Sequence, residues 1–304
     1  MTFPYPLTES QRRIVDLSAR LARKLAPTAA QYDRQGRFAH ENLEALHRAG
    51  YLRLGLPREF GGDGADVFDM TLAQERLARG DASSALVVGM MLNVIGRLRD
   101  EPIWPRPVFE AICRAIADKG GAINTCATEA DLGSVSRGGA PAATATPTKG
   151  GYFVNGRKIF VTGAPGLAYF LTLVRLPPSA DAPYGEVASA IVAADSSGLT
   201  IEASWGGALS LRSCGNSDVT YANVFVPEDY IVERRPLPAP GGARAPEGKG
   251  APGVGPWSLT IAAVYLGVGE AALDAATATP TRARRPRWAS LSRKRRRSRS
   301  ASAR

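Results

Sequence analysis

The sequence is poor in the residues that build disulfide frameworks and metal sites. Its 304 residues include only three cysteines and two histidines. The cysteines are odd in number, far apart and without Cys-x-x-Cys spacing, so the sequence predicts neither a disulfide scaffold nor a zinc site. His40 and His47 could share one helical face, but no third ligand type lies near them in the sequence. We therefore predict no bound metal.

Targeting and membrane signals are also scarce. The start, MTFPYPLTESQ, has no basic segment followed by an apolar one. No stretch approaches the roughly 18 uncharged apolar residues that a membrane-spanning helix requires. Because the cysteines also predict a reducing compartment, we expect a soluble, cytoplasmic protein without a membrane partner.

Acidic residues are missing from one segment only, the C-terminal tail. Residues 281–304 hold eleven of the 38 basic residues and none of the 28 acidic ones. Residues 1–280 are consequently close to neutral, with 27 basic and 28 acidic side chains. The net charge of +10 therefore describes the tail and not the body of the protein. A basic run such as RKRRRSRS can bind phosphates, but no RNA- or DNA-binding motif accompanies it, so a nucleic-acid partner is a minor alternative.

Residues 1–121 have the periodicity of an N-terminal helical domain. Thr8 and Gln11 form a capping box before an apolar stripe, and we expect that helix to end near Pro27. A second helix begins near His40, and a glycine-rich turn, PREFGGDG, precedes the third. The almost uncharged run ASSALVVGMMLNVIG predicts a buried helix.

The pattern changes at residue 122. Five short segments rich in Val, Ile, Thr and aromatic residues are separated by turn residues, which predicts an antiparallel β-barrel or sandwich over residues 122–235. Residues 236–256 are rich in Pro and Gly and resemble a linker. Residues 257–276 return to helical periodicity, and the basic residues 277–304 are predicted to be disordered. The fold class is therefore α+β, with helical domains on both sides of a β domain and the last one largely missing.

Three segments in or beside the β region carry the functional signal: NTCATEADLGSVSRGG, NGRKIFVTGAP and LRSCGNSDVTYANVFVPEDY. In the first, clustered hydroxyls and a Gly-Ser turn suit an anionic group such as a phosphate. In order and spacing, the three together resemble the motifs of the acyl-CoA dehydrogenase family of flavoproteins. The resemblance extends from residue 7 to about residue 276. It implies an FAD cofactor, an acyl-CoA or related thioester substrate and a homo-oligomer, dimer or tetramer.

The resemblance also implies the residues that contact the cofactor. Cys126, Ala127 and Thr128 would line the flavin ring, and Phe160 would stand against its face where the family usually has Trp. Thr162 would hydrogen-bond near the reactive N5 edge. Two further residues, Gly133 and Ser134, would approach the diphosphate, and Ser134 would also contact the thioester.

The family's catalytic base is a Glu in the last helical domain, or in some members on that domain's first helix. At the latter position this sequence offers Trp257 or Ser258. Glu270, on the same helix, is expected to face outward, so we assign no catalytic residue. We expect α,β-dehydrogenation of a thioester to be the ancestral reaction, impaired in this chain. The alternative is a flavin-dependent monooxygenase of the same fold, which needs no such base.

The basic tail also admits a genetic explanation. Read one nucleotide out of register, with suitable synonymous codons, residues 277–294 become DRYAYARAPSPLGKPIAE, which resembles the family's continuation of this helix. The shifted reading contains one Gly, and that residue is forced because Trp288 has only one codon, TGG. The expectation is a chain truncated by a frameshift, testable by resequencing around codon 277.

Overall fold

The computed structural model describes residues 6–131, 140–205, 207–239 and 255–278. The predicted α+β arrangement is confirmed: a helical N-terminal domain precedes a β domain, and a short helix follows. The five N-terminal helices are α1 (Glu9–Gln35), α2 (His40–Arg48), α3 (Val67–Ala78), α4 (Ala82–Asp100) and α5 (Arg106–Lys119).

Helix α1 begins as predicted and ends later than predicted. The Thr8 side chain accepts a hydrogen bond from the Gln11 amide, and the Gln11 side chain accepts one from the Thr8 amide, which confirms the capping box. The prediction that the helix ends near Pro27 was wrong, because Pro27 lies inside it and the left-handed Gly36 ends it. Burial of Tyr32 in the last turns stabilises the segment after the proline and offsets its missing hydrogen bond.

Helix α4 is the buried centre of the helical domain, as the uncharged run ASSALVVGMMLNVIG predicts. Fourteen of its nineteen residues are buried. Asp81 caps its start by accepting hydrogen bonds from the amides of Ser83 and Ser84. Near its other end, Arg97 donates to Glu233 of the sheet at 2.5 Å. Because Glu233 also accepts from Trp104 at 2.8 Å, one partly buried carboxylate joins the helices to the sheet.

Over the described residues, the β domain is one eight-stranded sheet. Its path runs β6-β7-β3-β2-β4-β5-β8, with β1 paired to β4 beside that path. Most pairs are antiparallel, as predicted, but β1 pairs with β4 in parallel and β2 touches β4 at one parallel position. The strands are β1 (Ala122–Cys126), β2 (Thr144–Thr148), β3 (Gly151–Val161), β4 (Leu167–Leu176), β5 (Glu186–Ala193), β6 (Leu199–Glu202), β7 (Ser217–Pro227) and β8 (Ile231–Pro236).

Helix α6 (Leu259–Ala278) follows a short turn at Pro256–Ser258. The chain divides into two compact units, Met1–Gly269 and Glu270–Arg304. In the first unit the Trp257 indole covers Gly96, where an added Cβ would lie 1.9 Å from the ring. Trp257 also donates to Asp100 at 2.6 Å. This contact fixes the start of α6 on the end of α4.

We expected no stretch to be long and apolar enough to span a membrane. By length and composition alone, that expectation was wrong. Pro256–Ala278 meets that criterion, with 22% of its most apolar window buried. A core helix of a soluble protein meets the same criterion, so the finding alone is weak evidence for a membrane.

Several predictions fall outside the described residues. Gly133 and Ser134 lie in residues 132–139, most of the predicted linker lies in residues 240–254, and the basic tail from residue 279 onward is likewise outside. The disorder and frameshift of the tail therefore stay predictions.

Candidate functional site

The structure brings together five of the seven predicted cofactor residues. The segment after β1 runs beside the end of β3: the Asn124 side chain donates to the Thr162 carbonyl at 3.0 Å, and the Ile159 amide donates to the Thr128 carbonyl at 2.9 Å. Residues 126–128 and 160–162 are thereby held side by side. The first and second motifs, which are distant in the sequence, therefore lie side by side at the ends of β1 and β3.

Phe160 has an unusual backbone and an exposed ring. Its φ is 57°, a left-handed conformation that costs a non-glycine residue about 1–3 kcal/mol and that Phe160 shares with Leu211, Asn223 and Glu233 among the described residues. The position coincides with a register shift between Lys158 and Val161 in the pairing of β3 with β7. The ring is 46% exposed, although it belongs to a strand that is otherwise largely packed. This irregularity presents an aromatic surface to solvent.

A second aromatic residue, which the motifs do not indicate, stands beside Phe160. The Trp205 ring meets the Phe160 ring edge to face, with centroids 4.8 Å apart. Its indole donates to Asp218 at 3.0 Å, and Ser204 and Arg157 donate to the same carboxylate at 2.8 and 2.7 Å. The sequence contains Trp205 at the end of LTIEASW, which we interpret as a strand and not as part of a site.

The Asp218 carboxylate is held ionised by this network. Partial burial alone would raise its pKa, but the hydrogen bonds from Ser204, Trp205 and Arg157 outweigh that effect and lower it. The charged Asp218 carboxylate therefore orients the Trp205 indole, and the Trp205 ring in turn packs against Phe160.

The side chains of Cys126 and Thr162 face inward. Cys126 is 1% exposed, and burial raises the pKa of its thiol to about 12, although nearby Lys158 acts in the opposite direction. Thr162 is 6% exposed. Ala127 and Thr128 are partly exposed. At the surface, this segment therefore offers Ala127, Thr128 and its backbone, whereas the Cys126 thiol is buried.

A buried ion pair supports the segment from below. Lys158 is completely buried and its Nζ lies 2.6 Å from Oε1 of Glu129. The amides of Ala142 and Ala143 donate to the two Glu129 oxygens at 2.7 and 3.0 Å. Burial raises the pKa of Glu129, but Lys158 and the two amides lower it by more. The pair ties the end of the cofactor segment to β3 and to the start of β2.

The third motif connects the site to α1. Arg212 donates through its backbone amide and its Nε to Asp33, at 3.0 and 2.8 Å, and its guanidinium also pairs with the Asp33 carboxylate. Ser217 donates to the Gly215 carbonyl, which shapes the turn before β7. These two residues therefore fix the backbone of the motif.

Comparison with known protein families matches two long segments of the chain to one family. The model "Acyl-CoA dehydrogenase, N-terminal domain" matches residues 8–99, and "Acyl-CoA dehydrogenase, middle domain" matches residues 124–224. The chain belongs to the acyl-CoA dehydrogenase family. FAD is the flavin typical of this family.

Two relatives of this chain are named as an acyl-CoA dehydrogenase and as a nitrososynthase. The chain is 39% identical over 266 residues to "Putative acyl-CoA dehydrogenase YdbM" of Bacillus subtilis (strain 168), covering 88% of this chain and 65% of that protein. It is 29% identical to L-evernosamine nitrososynthase of Micromonospora sp. (strain ATCC 39149 / NRRL 15099 / SCC 1413), covering 89% and 62% of the two chains. The chain thus spans less than two thirds of the length of these relatives.

Among solved structures, KijD3 in complex with FMN and a dTDP-linked keto sugar is similar. The TM-score is 0.75 at 26% identity, and the match covers 95% of this chain and 69% of KijD3. TdsC from Paenibacillus sp. A11-2 with FMN and indole has a TM-score of 0.73 at 21% identity, covering 90% and 66%, which shows a shared fold.

Proposed function

We propose that this protein is a flavin-dependent oxidoreductase that removes two hydrogens across the α,β bond of an acyl-CoA or related thioester. Flavin binding is supported by the exposed ring of Phe160, whose backbone is strained and which lies beside residues 126–128. The thioester part is supported by the 39% identity to YdbM. A homo-oligomer is proposed from the family alone.

The residues present fit a flavin. Phe160 offers a stacking surface, and Trp205 supports its ring at the edge. Thr128 and Ala127 lie at the surface beside it, and Thr162 stands next in sequence to the end of β3. We propose that Gly133 and Ser134, outside the described residues, contact the diphosphate. A bound FAD supplies an acceptor for the hydride that leaves the substrate.

At the start of α6, where some members of the family carry the catalytic Glu, the described residues include no carboxylate. Trp257 is occupied by its hydrogen bond to Asp100 and its packing on Gly96, and Ser258 donates to the Gly255 carbonyl. Thioester dehydrogenation therefore needs a base from elsewhere in the protein.

The second candidate is flavin-dependent monooxygenation. It is supported by the similarity to L-evernosamine nitrososynthase and to KijD3, at 29% and 26% identity. For this reaction Phe160 would hold a reduced flavin, which would supply the electrons for oxygen, and no base to remove an α-proton would be required.

Two assays separate the candidates. The flavin-loaded protein is mixed anaerobically with acyl-CoAs of several chain lengths, and the flavin absorbance is followed. In parallel, oxygen consumption is measured with reduced flavin and an amine or aromatic substrate. Bleaching by an acyl-CoA supports dehydrogenation. Oxygen-coupled product formation without any bleaching overturns it in favour of the monooxygenase.

A matched pair of variants tests the site. Phe160 and Phe153 are both exposed on β3, and each meets another aromatic ring edge to face, Phe153 meeting Phe225 at 6.0 Å. Phe160→Ala is expected to weaken flavin binding about two- to tenfold, the range of one aromatic contact, whereas Phe153→Ala leaves it unchanged. Equal effects of the two variants in a flavin titration would contradict the assignment.

A further inference from the structure

A second concave site lies in the helical domain, between the glycine-rich turn PREFGGDG and the junction of α4 with α5. The cavity has a volume of about 550 Å³, within the roughly 300–1,000 Å³ of small-molecule sites. The residues that line it lie within the ranges 57–64, 98–99 and 102–109. None of these residues belongs to the flavin site described above.

The charge of the lining is predominantly positive. Arg58, Arg99 and Arg106 line the cavity, against the single carboxylate of Glu59. Within the described part of the chain, none of the three guanidinium groups forms an ion pair. Arg58 and Arg99 donate only to carbonyl groups, those of Asp63 and Ala65, at 3.0 and 2.5 Å. Three cations without a carboxylate partner favour an anionic ligand.

Helix α5 adds to this field. It begins at Arg106, on the cavity wall, and has no acidic residue in its first turn. The positive end of its dipole is therefore not neutralised by its own side chains.

The floor of the cavity is aromatic and rigid. The Phe109 ring meets Phe60 and Trp104 edge to face, with centroid separations of 5.7 and 6.4 Å. All three rings are less than a tenth exposed. The Trp104 indole is fixed by its hydrogen bond to Glu233, and Arg106 lies over the Phe60 ring at 4.9 Å. Such a floor is apolar and rigid, and it suits contact with the edge of a ring compound.

The rim depends on the glycines of the turn. Gly64 has a φ of +70°, and an added Cβ would lie 2.8 Å from Cγ of Arg58. A side chain at this position would push the Arg58 stem away from its present place on the wall. The turn therefore sets the position of one of the three cations.

We propose that this cavity binds a phosphorylated ring compound of nucleotide size, with its phosphate on Arg58, Arg99 and Arg106 and its ring on the floor of Phe60, Trp104 and Phe109. The ligand class follows from the pairing of guanidinium groups that have no carboxylate partner with a rigid aromatic surface; two of these groups, Arg99 and Arg106, lie over the rings of Trp257 and Phe60. The site is separate from flavin chemistry and requires no reaction.

The full chain labelled with 5-fluorotryptophan tests the proposal. ADP is titrated while the fluorine resonances are followed, with Trp104 assigned from its Phe variant and Trp205 reporting on the flavin site. We expect ADP to shift the Trp104 resonance saturably. Arg106→Gln and Arg58→Gln should each weaken this binding at least about tenfold, as expected for a lost charge-assisted contact. The exposed Arg20→Gln on α1 serves as the matched control and should change nothing.

Two further arms separate the parts of the ligand. Adenosine and inorganic phosphate should each bind at least about tenfold more weakly than ADP. The proposal is overturned if ADP leaves the Trp104 resonance in place, if only the Trp205 resonance moves, or if adenosine or phosphate alone binds as tightly. Unchanged affinity in both arginine variants, shown by circular dichroism to be folded, also overturns it.

Discussion

Replacing Lys158 by methionine is expected to destabilise the protein at neutral pH far more than an ordinary surface change. The side chain is completely buried, and its ammonium is 2.6 Å from Glu129, which is 4% exposed. Methionine fills similar space but leaves the carboxylate buried without its cation. Breaking a buried pair in this way costs about 3–5 kcal/mol. The control Arg13→Met removes an exposed pair with Glu9 and should cost less than about 1 kcal/mol.

The pH dependence gives the prediction a second readout. In the wild type the pKa of Glu129 is lowered, so its contribution to stability is present above about 4.3, the value of a free glutamate, and is lost as pH falls below it. Without Lys158, burial raises the pKa of Glu129, so the variant gains stability as pH falls and Glu129 takes up a proton. The difference in unfolding free energy between wild type and Lys158→Met should therefore shrink between pH 7 and pH 4.5.

Urea unfolding followed by circular dichroism measures these free energies. The double variant Glu129→Gln with Lys158→Met removes both charges and keeps one of the two oxygens, which can still accept the hydrogen bond of one of the Ala142 and Ala143 amides. It should recover at least about 1.5 kcal/mol of the loss. A loss below about 1 kcal/mol for Lys158→Met, or a difference that grows on acidification, would refute the assignment of this pair as the support of the cofactor segment.

Three further outcomes are expected. Gly96→Ala should lower the unfolding free energy by about 1–3 kcal/mol in urea titrations, because the new methyl meets the Trp257 ring; stabilisation, as helix propensity alone predicts, would contradict the packing. Thr8→Ala should cost about 1 kcal/mol through the lost capping box, and no loss would argue against that cap. The three buried cysteines, each with its pKa raised to about 12 mainly by burial, should be unreactive to a disulfide reagent at pH 8 until the protein is unfolded. Rapid labelling of the folded protein would show that at least one thiol is open.

Local sequence signals predict the local structure well. The pairing of Thr8 with Gln11 and the charge-free run that forms α4 need only neighbouring residues, and both are confirmed. The end of α1 depends instead on distant contacts. Pro27 is a sound reason to end a helix, but burial of Tyr32 and the hydrogen bonds from Arg212 to Asp33 hold the following turns in place.

The candidate site was predictable only where a motif marks it. The segment around Cys126 and the neighbourhood of Phe160 follow from the resemblance, and the structure brings them together, although their contacts with a flavin stay predictions. Trp205 and the buried Lys158 were missed. Lysine is rarely buried, and its partner Glu129 lies 29 positions away, so neither composition nor spacing reveals the pair. Trp205 follows β6, and the pairing of β6 with β7 brings it beside the site; sequence patterns do not indicate this long-range pairing.

The most direct test of flavin binding is the visible absorbance of the purified protein, with the flavin content measured after acid release. We predict a bound-flavin band, and after removal of the flavin, recovery of that band on titration with FAD in the wild type and more weakly in Phe160→Ala. A folded protein that shows no such band and gives no change on titration with FAD or FMN would contradict the proposed function.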